Sequence, residues 1–191
     1  MKKVVFDIET RNIFDDVGKA DPTLLDISVV CAYDSETDKY TSYLQEDLPK
    51  LWPLLESADV LITFNGDYFD IPLLNKYYHG DLTKIKSLDI MAELKKSLGR
   101  RIGLGNIAEA TLGIGKSAHG LQAVEWWKKG DVESIIKYCI QDVKVTKEVY
   151  EYALKNKKLK YKDGDKIKDV IIDITGWDEI PKGAMTHSLP F

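Results

Sequence analysis

No apolar run in this chain approaches the roughly 18 residues that a bilayer-crossing helix needs, so a membrane-spanning segment is excluded. The start, Met1-Lys2-Lys3, leads straight into a short strand pattern rather than a secretory leader, and a cytoplasmic location is expected. Cysteine is scarce: Cys31 and Cys139 lie among apolar neighbours without ligand spacing, which excludes a disulfide framework or zinc site and predicts buried thiols in a reducing compartment. Positive charge is also short, with 27 Lys and Arg against 31 Asp and Glu and a net charge of −4. That balance excludes a protein holding long duplex on a broad basic surface. It leaves room for an enzyme gripping a few phosphates through small clusters such as Lys95, Lys96, Arg100 and Arg101. Internal repeats and low-complexity segments are missing too. What remains, 191 residues of which 44% are hydrophobic, suits one domain or a domain with a small appendage.

The chain is organised around Val4-Val5-Phe6-Asp7-Ile8-Glu9-Thr10, an apolar strand pattern that breaks into two acids. Successive strand side chains face opposite ways, so Asp7 and Glu9 project side by side while Phe6 and Ile8 enter the other layer. Two neighbouring carboxylates repel unless a cation sits between them, and a hard divalent ion is the obvious resolution. Acids that simply end the strand in solvent are the alternative.

Asn12 to Pro22 is polar and reads as a loop. Leu25 to Tyr33 and Lys39 to Leu44 are strand-rich, separated by the hairpin turn Asp34 to Asp38. Asp47 is expected to cap a helix to about Ser57, with Leu48, Leu51, Trp52 and Leu55 at helical spacing. Val60 to Phe64 reads as a central strand buried on both faces. In the following Asn65-Gly66-Asp67-Tyr68-Phe69-Asp70-Ile71-Pro72, Gly66 permits a sharp turn and Pro72 suits the first turn of a helix running to about Tyr78. Asp70 therefore sits at a strand-to-helix junction, where it serves either chemistry or an N-cap, while Asp67 falls in the exposed turn. Ile85 to Asp89 is a fifth strand, a helix carries Met91, Leu94 and Leu98, and Leu104 to Leu112 is another helix. Lys116 to Lys129 holds Trp126, Trp127 and His119, to which no role is given.

Asp131 to about Lys155 is the longest helix, with Val132, Ile136, Cys139, Val143, Thr146, Tyr150 and Ala153 as one stripe and Glu133, Lys137, Lys144, Glu148 and Glu151 opposite. Tyr138 and Asp142, one turn apart, fall on the stripe's edge, either as chemistry or as a hydrogen-bonded pair within the helix. Beyond Lys157, the turn Lys162-Asp163-Gly164-Asp165 and a strand over Val170 to Ile174 suggest a terminal hairpin, and Trp177 to Phe191 shows no periodicity.

Phe6-Asp7-Ile8-Glu9-Thr10, Phe64-Asn65-Gly66-Asp67-Tyr68-Phe69-Asp70-Ile71-Pro72 and Tyr138-Cys139-Ile140-Gln141-Asp142-Val143-Lys144-Val145-Thr146 resemble the three motifs of the DEDD 3′–5′ exonucleases. The likeness is nearest to the proofreading domains of family B DNA polymerases, in the tyrosine subclass; the position where the histidine subclass carries His is Lys137. It runs from about Lys3 to Tyr152, and Leu104 to Lys116 resembles the family's linking region. The resemblance implies a ribonuclease H-like α/β fold: a mixed five-stranded sheet, three antiparallel strands then parallel ones, with helices on both faces. It divides the chain into an exonuclease domain, 1–155, and a C-terminal hairpin and tail, 156–191. It also implies two Mg²⁺ or Mn²⁺ ions, with Asp7 bridging both, Glu9 and Asp142 on the ion that binds the attacking water, Asp70 supporting the second, and Tyr138 orienting the water. The implied substrate is the 3′ end of single-stranded or frayed DNA, ahead of RNA, with Phe64 and Asn65 contacting the terminal nucleotide; DNA repair, RNA trimming and nucleotide salvage are all open as settings. Phe64 as core packing and Asn65 as a turn residue remain equally open.

Another ribonuclease H-like nuclease, RNA-processing or structure-specific, is the competing enzyme. A non-catalytic nucleic-acid-binding domain ranks last because none of the four acids is missing. Thr186 to Phe191 resembles the C-terminal peptides by which bacterial replication and repair proteins dock into the sliding clamp, with Leu189 and Phe191 as anchors but Thr186 where the usual Gln stands.

Overall fold

The structure is a computed structural model that describes residues 1–115 and 120–179. In chain order its elements are β1 (Lys3–Thr10), α1 (Phe14–Val17), β2 (Ile27–Asp34), β3 (Lys39–Leu44), α2 (Leu48–Glu56), β4 (Val60–Thr63), α3 (Asp70–Asn75), β5 (Ser87–Asp89), α4 (Ile90–Leu98), α5 (Leu104–Leu112), α6 (Gly120–Lys128), α7 (Val132–Asn156), β6 (Lys158–Asp163) and β7 (Lys166–Ile171). The five-stranded sheet has the order β3-β2-β1-β4-β5, antiparallel across β1, β2 and β3 and parallel across β1, β4 and β5. This is the ribonuclease H-like arrangement, with β1 in the middle and β4 beside it, an interior strand buried on both faces as its apolar run predicts.

Strand alternation sorts the core into two layers. Val5, Val29, Cys31, Val60, Ile62 and Leu88 face α4, α5, α6 and α7, whereas Val4, Phe6, Ile8, Val30, Ala32 and Leu61 face α2 and α3. The odd-numbered row of β1 therefore carries Asp7 and Glu9 toward the α7 layer, as period two requires. Register decides what they meet there. β4 pairs with β1 only from Lys3 to Val5, while β2 follows β1 from Val4 to Thr10. The acidic half of β1 thus has a strand on one side and an opening on the other.

Local differences from expectation have local causes. The presumed loop from Asn12 to Pro22 contains α1, which Gly18 ends with a positive φ of 69°. Asp47 occupies the N-cap position of α2 without capping it: its backbone is already helical, with φ −91° and ψ −3°, and its carboxylate accepts from Lys50 at 2.5 Å. The buried face of α7 is wider than one stripe: Ile135, Val145 and Val149 are buried, while Val132 and Ile136 are only partly so. Its N-terminus is capped by Asp131, which accepts from the Ser134 amide at 3.1 Å. The terminal hairpin reverses at the expected turn, through the positive-φ Gly164, and its second strand, β7, starts at Lys166, four residues before the apolar run that suggested it. Its inner residues Leu159, Tyr161 and Val170, with Ile172 and Trp177 beyond, join the core layer of α7, and Trp177 stacks on Tyr150 at 5.7 Å. Asn106 and Thr111 of α5 close the free edge of β6 by hydrogen-bonding the backbone of Lys162 and Lys160.

Candidate active site

Where β4 ends, the chain reverses through Asn65, which adopts a left-handed φ of 76° that Asn tolerates better than most residues. The reversal thus belongs to Asn65. Gly66 is required for a different reason: a Cβ there would lie 2.3 Å from Thr63 Oγ1. The loop is clasped by Asp89, at the end of the next strand, whose carboxylate accepts from the amides of Asn65 at 2.7 Å and Asp67 at 3.3 Å. The same carboxylate caps α4 through the amides of Met91 and Ala92. Asp67 stays exposed, accepting from the Ser87 hydroxyl at 2.5 Å.

Asp70 is then the first residue of α3, with Phe69 at the N-cap position, and its side chain caps nothing. It is 3% exposed, and Oδ1 is buried without a hydrogen-bond partner. A buried oxygen left bare is costly, so this position is built for something the helix alone does not supply. From the other side, α7 brings Asp142 to Asp7 and Glu9, and one carboxylate oxygen from each of the three lies within 4.8 Å of the others. The Cys139 thiol donates to the Asp7 carbonyl at 3.4 Å, packing α7 against β1, and Cys31 is likewise buried as a free thiol.

The four acids line one cavity of about 480 Å³, together with Phe64, Asn65, Phe69, Leu121 and Val124. Asp7, Glu9 and Asp142 form the trio, and Asp70 stands beside it as the neighbouring charge acting most strongly on Asp7. Burial first, then Asp70, Glu9 and Asp142, hold the Asp7 carboxyl far above the usual carboxylate range. Glu9 is raised in the same way, by burial and then by Asp142 and Asp70. Burial lifts Asp70 to about 8, with Asp89 adding to it. Asp142 is lifted to about 6, the Tyr138 hydroxyl pulling it back down. The donor set, all hard carboxylate oxygens with one bare, fits divalent Mg²⁺ or Mn²⁺.

Tyr138 lies one turn before Asp142 with its ring edge-on to Trp126, at 6.1 Å between centroids. Burial, then Asp142 and Glu9, raises its phenol well above the ordinary tyrosine value. Phe64 and Asn65 both reach the cavity wall, Phe64 while also packing against the core and Asn65 while making the turn.

Two contributors escaped the sequence reading. Asp89 has the signature of a capping aspartate before a helix, but its clasp on Asn65 spans 24 positions. Helix α6 lies in the stretch around Trp126 and Trp127 to which the sequence pattern assigns no element, and it supplies Leu121 and Val124 to the wall. The helical spacing of Ala123, Val124 and Trp127 was its signal. The Arg11 guanidinium, just past the acids, lies 4.4 Å from the Trp127 ring and ties this helix to β1. His119 and Lys116 lie outside the described residues, as does the clamp-like segment from Thr186 to Phe191.

The sequence model of the RNase H superfamily matches residues 4–154, which contain all four acids and Tyr138. A search of curated proteins finds no match. Among solved structures, RNase D of Trypanosoma brucei shares the fold, with a TM-score of 0.59 and 16% identity over 81% of this chain. The chain spans 58% of that protein's length.

Proposed function

We propose, for a chain that belongs to the RNase H superfamily, a metal-dependent 3′–5′ exonuclease of the tyrosine DEDD subclass that releases nucleoside 5′-monophosphates from single-stranded or frayed 3′ ends. The carrying observation is the convergence of Asp7, Glu9 and Asp142 within 4.8 Å, beside the bare buried oxygen of Asp70. These four carboxylates would hold the ions. Two bound divalent ions lower the pKa of water and stabilise both attacking and leaving oxygens of an in-line displacement. A phenol holds its proton at neutral pH, and burial beside Asp142 and Glu9 pushes the Tyr138 phenol further up, so it would orient the nucleophile by hydrogen bonding rather than act as base. Phe64, Leu121 and Val124 offer the apolar wall against which an unstacked terminal nucleotide packs, and Asn65 offers a carboxamide at its rim. Water adds to the phosphorus, the P–O3′ bond breaks, and the 3′ oxygen departs with the shortened strand.

DNA is the first substrate reading, from the likeness to polymerase proofreading domains. RNA is the second, favoured by the fold shared with a protein named RNase D. The test is incubation with Mn²⁺ and 5′-labelled single strands of DNA and RNA of one sequence. A ladder of one-nucleotide steps shortening from the 3′ end is expected, on DNA before RNA, and is abolished by Asp7→Asn. Internal cuts, or activity unaltered by that substitution, contradict the proposal.

A further inference from the structure

The four cations Lys95 and Lys96, in the last turn of α4, and Arg100 and Arg101, just past it, are not one patch. Lys96 is ion-paired with Glu93 at 2.6 Å and Arg100 with Asp163 at 3.1 Å, on the hairpin side. Among the described residues, Lys95 and Arg101 make no ion pair. Both instead line a second cleft, of about 210 Å³, that shares Asn65 with the acid cavity. Arg101 is held in place there: its guanidinium donates to the Asn65 carboxamide oxygen and, through Nε, to Met91 Sδ at 3.2 Å. It also lies 5.3 Å from the centre of the Tyr68 ring. Tyr68 is 44% exposed, yet its hydroxyl is anchored on the Ala20 carbonyl at 3.2 Å, so a large aromatic face is fixed toward solvent.

We propose that Arg101, Lys95 and the Tyr68 ring form a subsite for the internucleotide phosphate and base of a single strand, upstream of the phosphate that meets the acids. A fixed aromatic face with adjoining cations is the chemistry that holds single-stranded nucleic acid without reading its sequence. Two acids share the cleft, and both are occupied: Asp89 accepts four backbone amides, and Asp67 accepts the Ser87 hydroxyl. Asn65 joins the subsites mechanically, because one carboxamide borders the acid cavity and receives Arg101. On a chain of net charge −4 a local grip of this kind lets an anionic strand approach four carboxylates. The subsite rests on the nuclease reading, since it assigns a path to that enzyme's substrate.

The test is binding without cleavage: fluorescence anisotropy of a 5′-labelled oligothymidylate of about ten nucleotides, in EDTA, across roughly 20 to 200 mM KCl. The double variant Lys95→Gln, Arg101→Gln is expected to bind about 10-fold more weakly at low salt, and its salt slope to fall by about 1 to 1.5 for two lost phosphate contacts. Arg101→Lys should keep the slope, because charge and not the Asn65 bond carries it. Unchanged affinity and slope in the double variant, no measurable wild-type binding at low salt, or a salt slope reduced in Arg101→Lys overturns the proposal. The expected pattern in a protein that fails to cleave with Mn²⁺ removes the nuclease reading and leaves the subsite standing.

Discussion

Each carboxylate of the site is unfavourable in the folded apo protein, and that has a measurable sign. Asp70, lifted to about 8, and Asp142, lifted to about 6, bind protons in the folded state that the unfolded chain has already released. Stability of the metal-free protein should therefore fall as pH rises from about 4, the unfolded value, to about 8, the upper of the two folded values. Melting temperature in EDTA checks this, and millimolar Mg²⁺ or Mn²⁺ should flatten the curve, because an ion that binds only the folded state stabilises it. Asp7→Asn should raise the metal-free stability at pH 8 by on the order of 1 kcal/mol. A flat pH profile without metal would remove the repulsive cluster from the account. For Tyr138 the raised phenol makes a different claim. Tyr138→Phe should lower the single-turnover rate roughly 10²-fold, the scale of one positioned hydrogen bond, with helix content unchanged. A Phe variant as fast as wild type reduces Tyr138 to a packing partner of Trp126. These residues were legible in the sequence because each sits at an end or an edge of a strongly patterned element: period two exposes Asp7 and Glu9, and the margin of a 3.6-period stripe exposes Asp142.

Elements whose signal is periodic were legible and those whose signal is contact were not. Helix α7 and the strand pairing follow from hydrophobic spacing, and α5 runs over Leu104–Leu112, the residues that pattern assigns to it. The clasp by Asp89 could not be read, since an aspartate preceding a helix reads as a cap and nothing local says that it also holds a loop 24 positions earlier. Helix α6 was obscured by paired tryptophans and by flanking glycines. The clasp predicts a double effect. Asp89→Ala should cost about 1 to 2 kcal/mol for the lost cap and more for the amides of Asn65 and Asp67 left unpaired. Urea unfolding measures the loss, and cleavage should fall as well because Asn65 and Asp70 share the released loop. Asp89→Asn keeps one accepting oxygen and should recover part of both; an unchanged urea midpoint for Asp89→Ala contradicts the clasp.

At the scale of the molecule, one sheet places two acids from its central strand, one from the first residue of α3 and one from the longest helix around a single opening, which exists because β4 stops pairing at Val5. The terminal hairpin belongs to the same packing. Trp177, in the stretch without periodicity, is 4% exposed and stacked on Tyr150, an outcome that no local pattern encodes. Trp177→Ala should cost about 3 kcal/mol in thermal or urea unfolding, and a loss below about 1 kcal/mol would mean that the tail merely rests on α7. The central claim is that the buried acids form a centre for divalent cations. Calorimetric titration of the metal-free protein with Mn²⁺ at neutral pH, in two buffers of different ionisation enthalpy, tests it most directly. Saturable binding that releases protons is expected, since the raised carboxyls must ionise to ligate, and it should be lost in Asp7→Asn. Binding with no proton release, or the same isotherm from the Asp7→Asn protein, would contradict it.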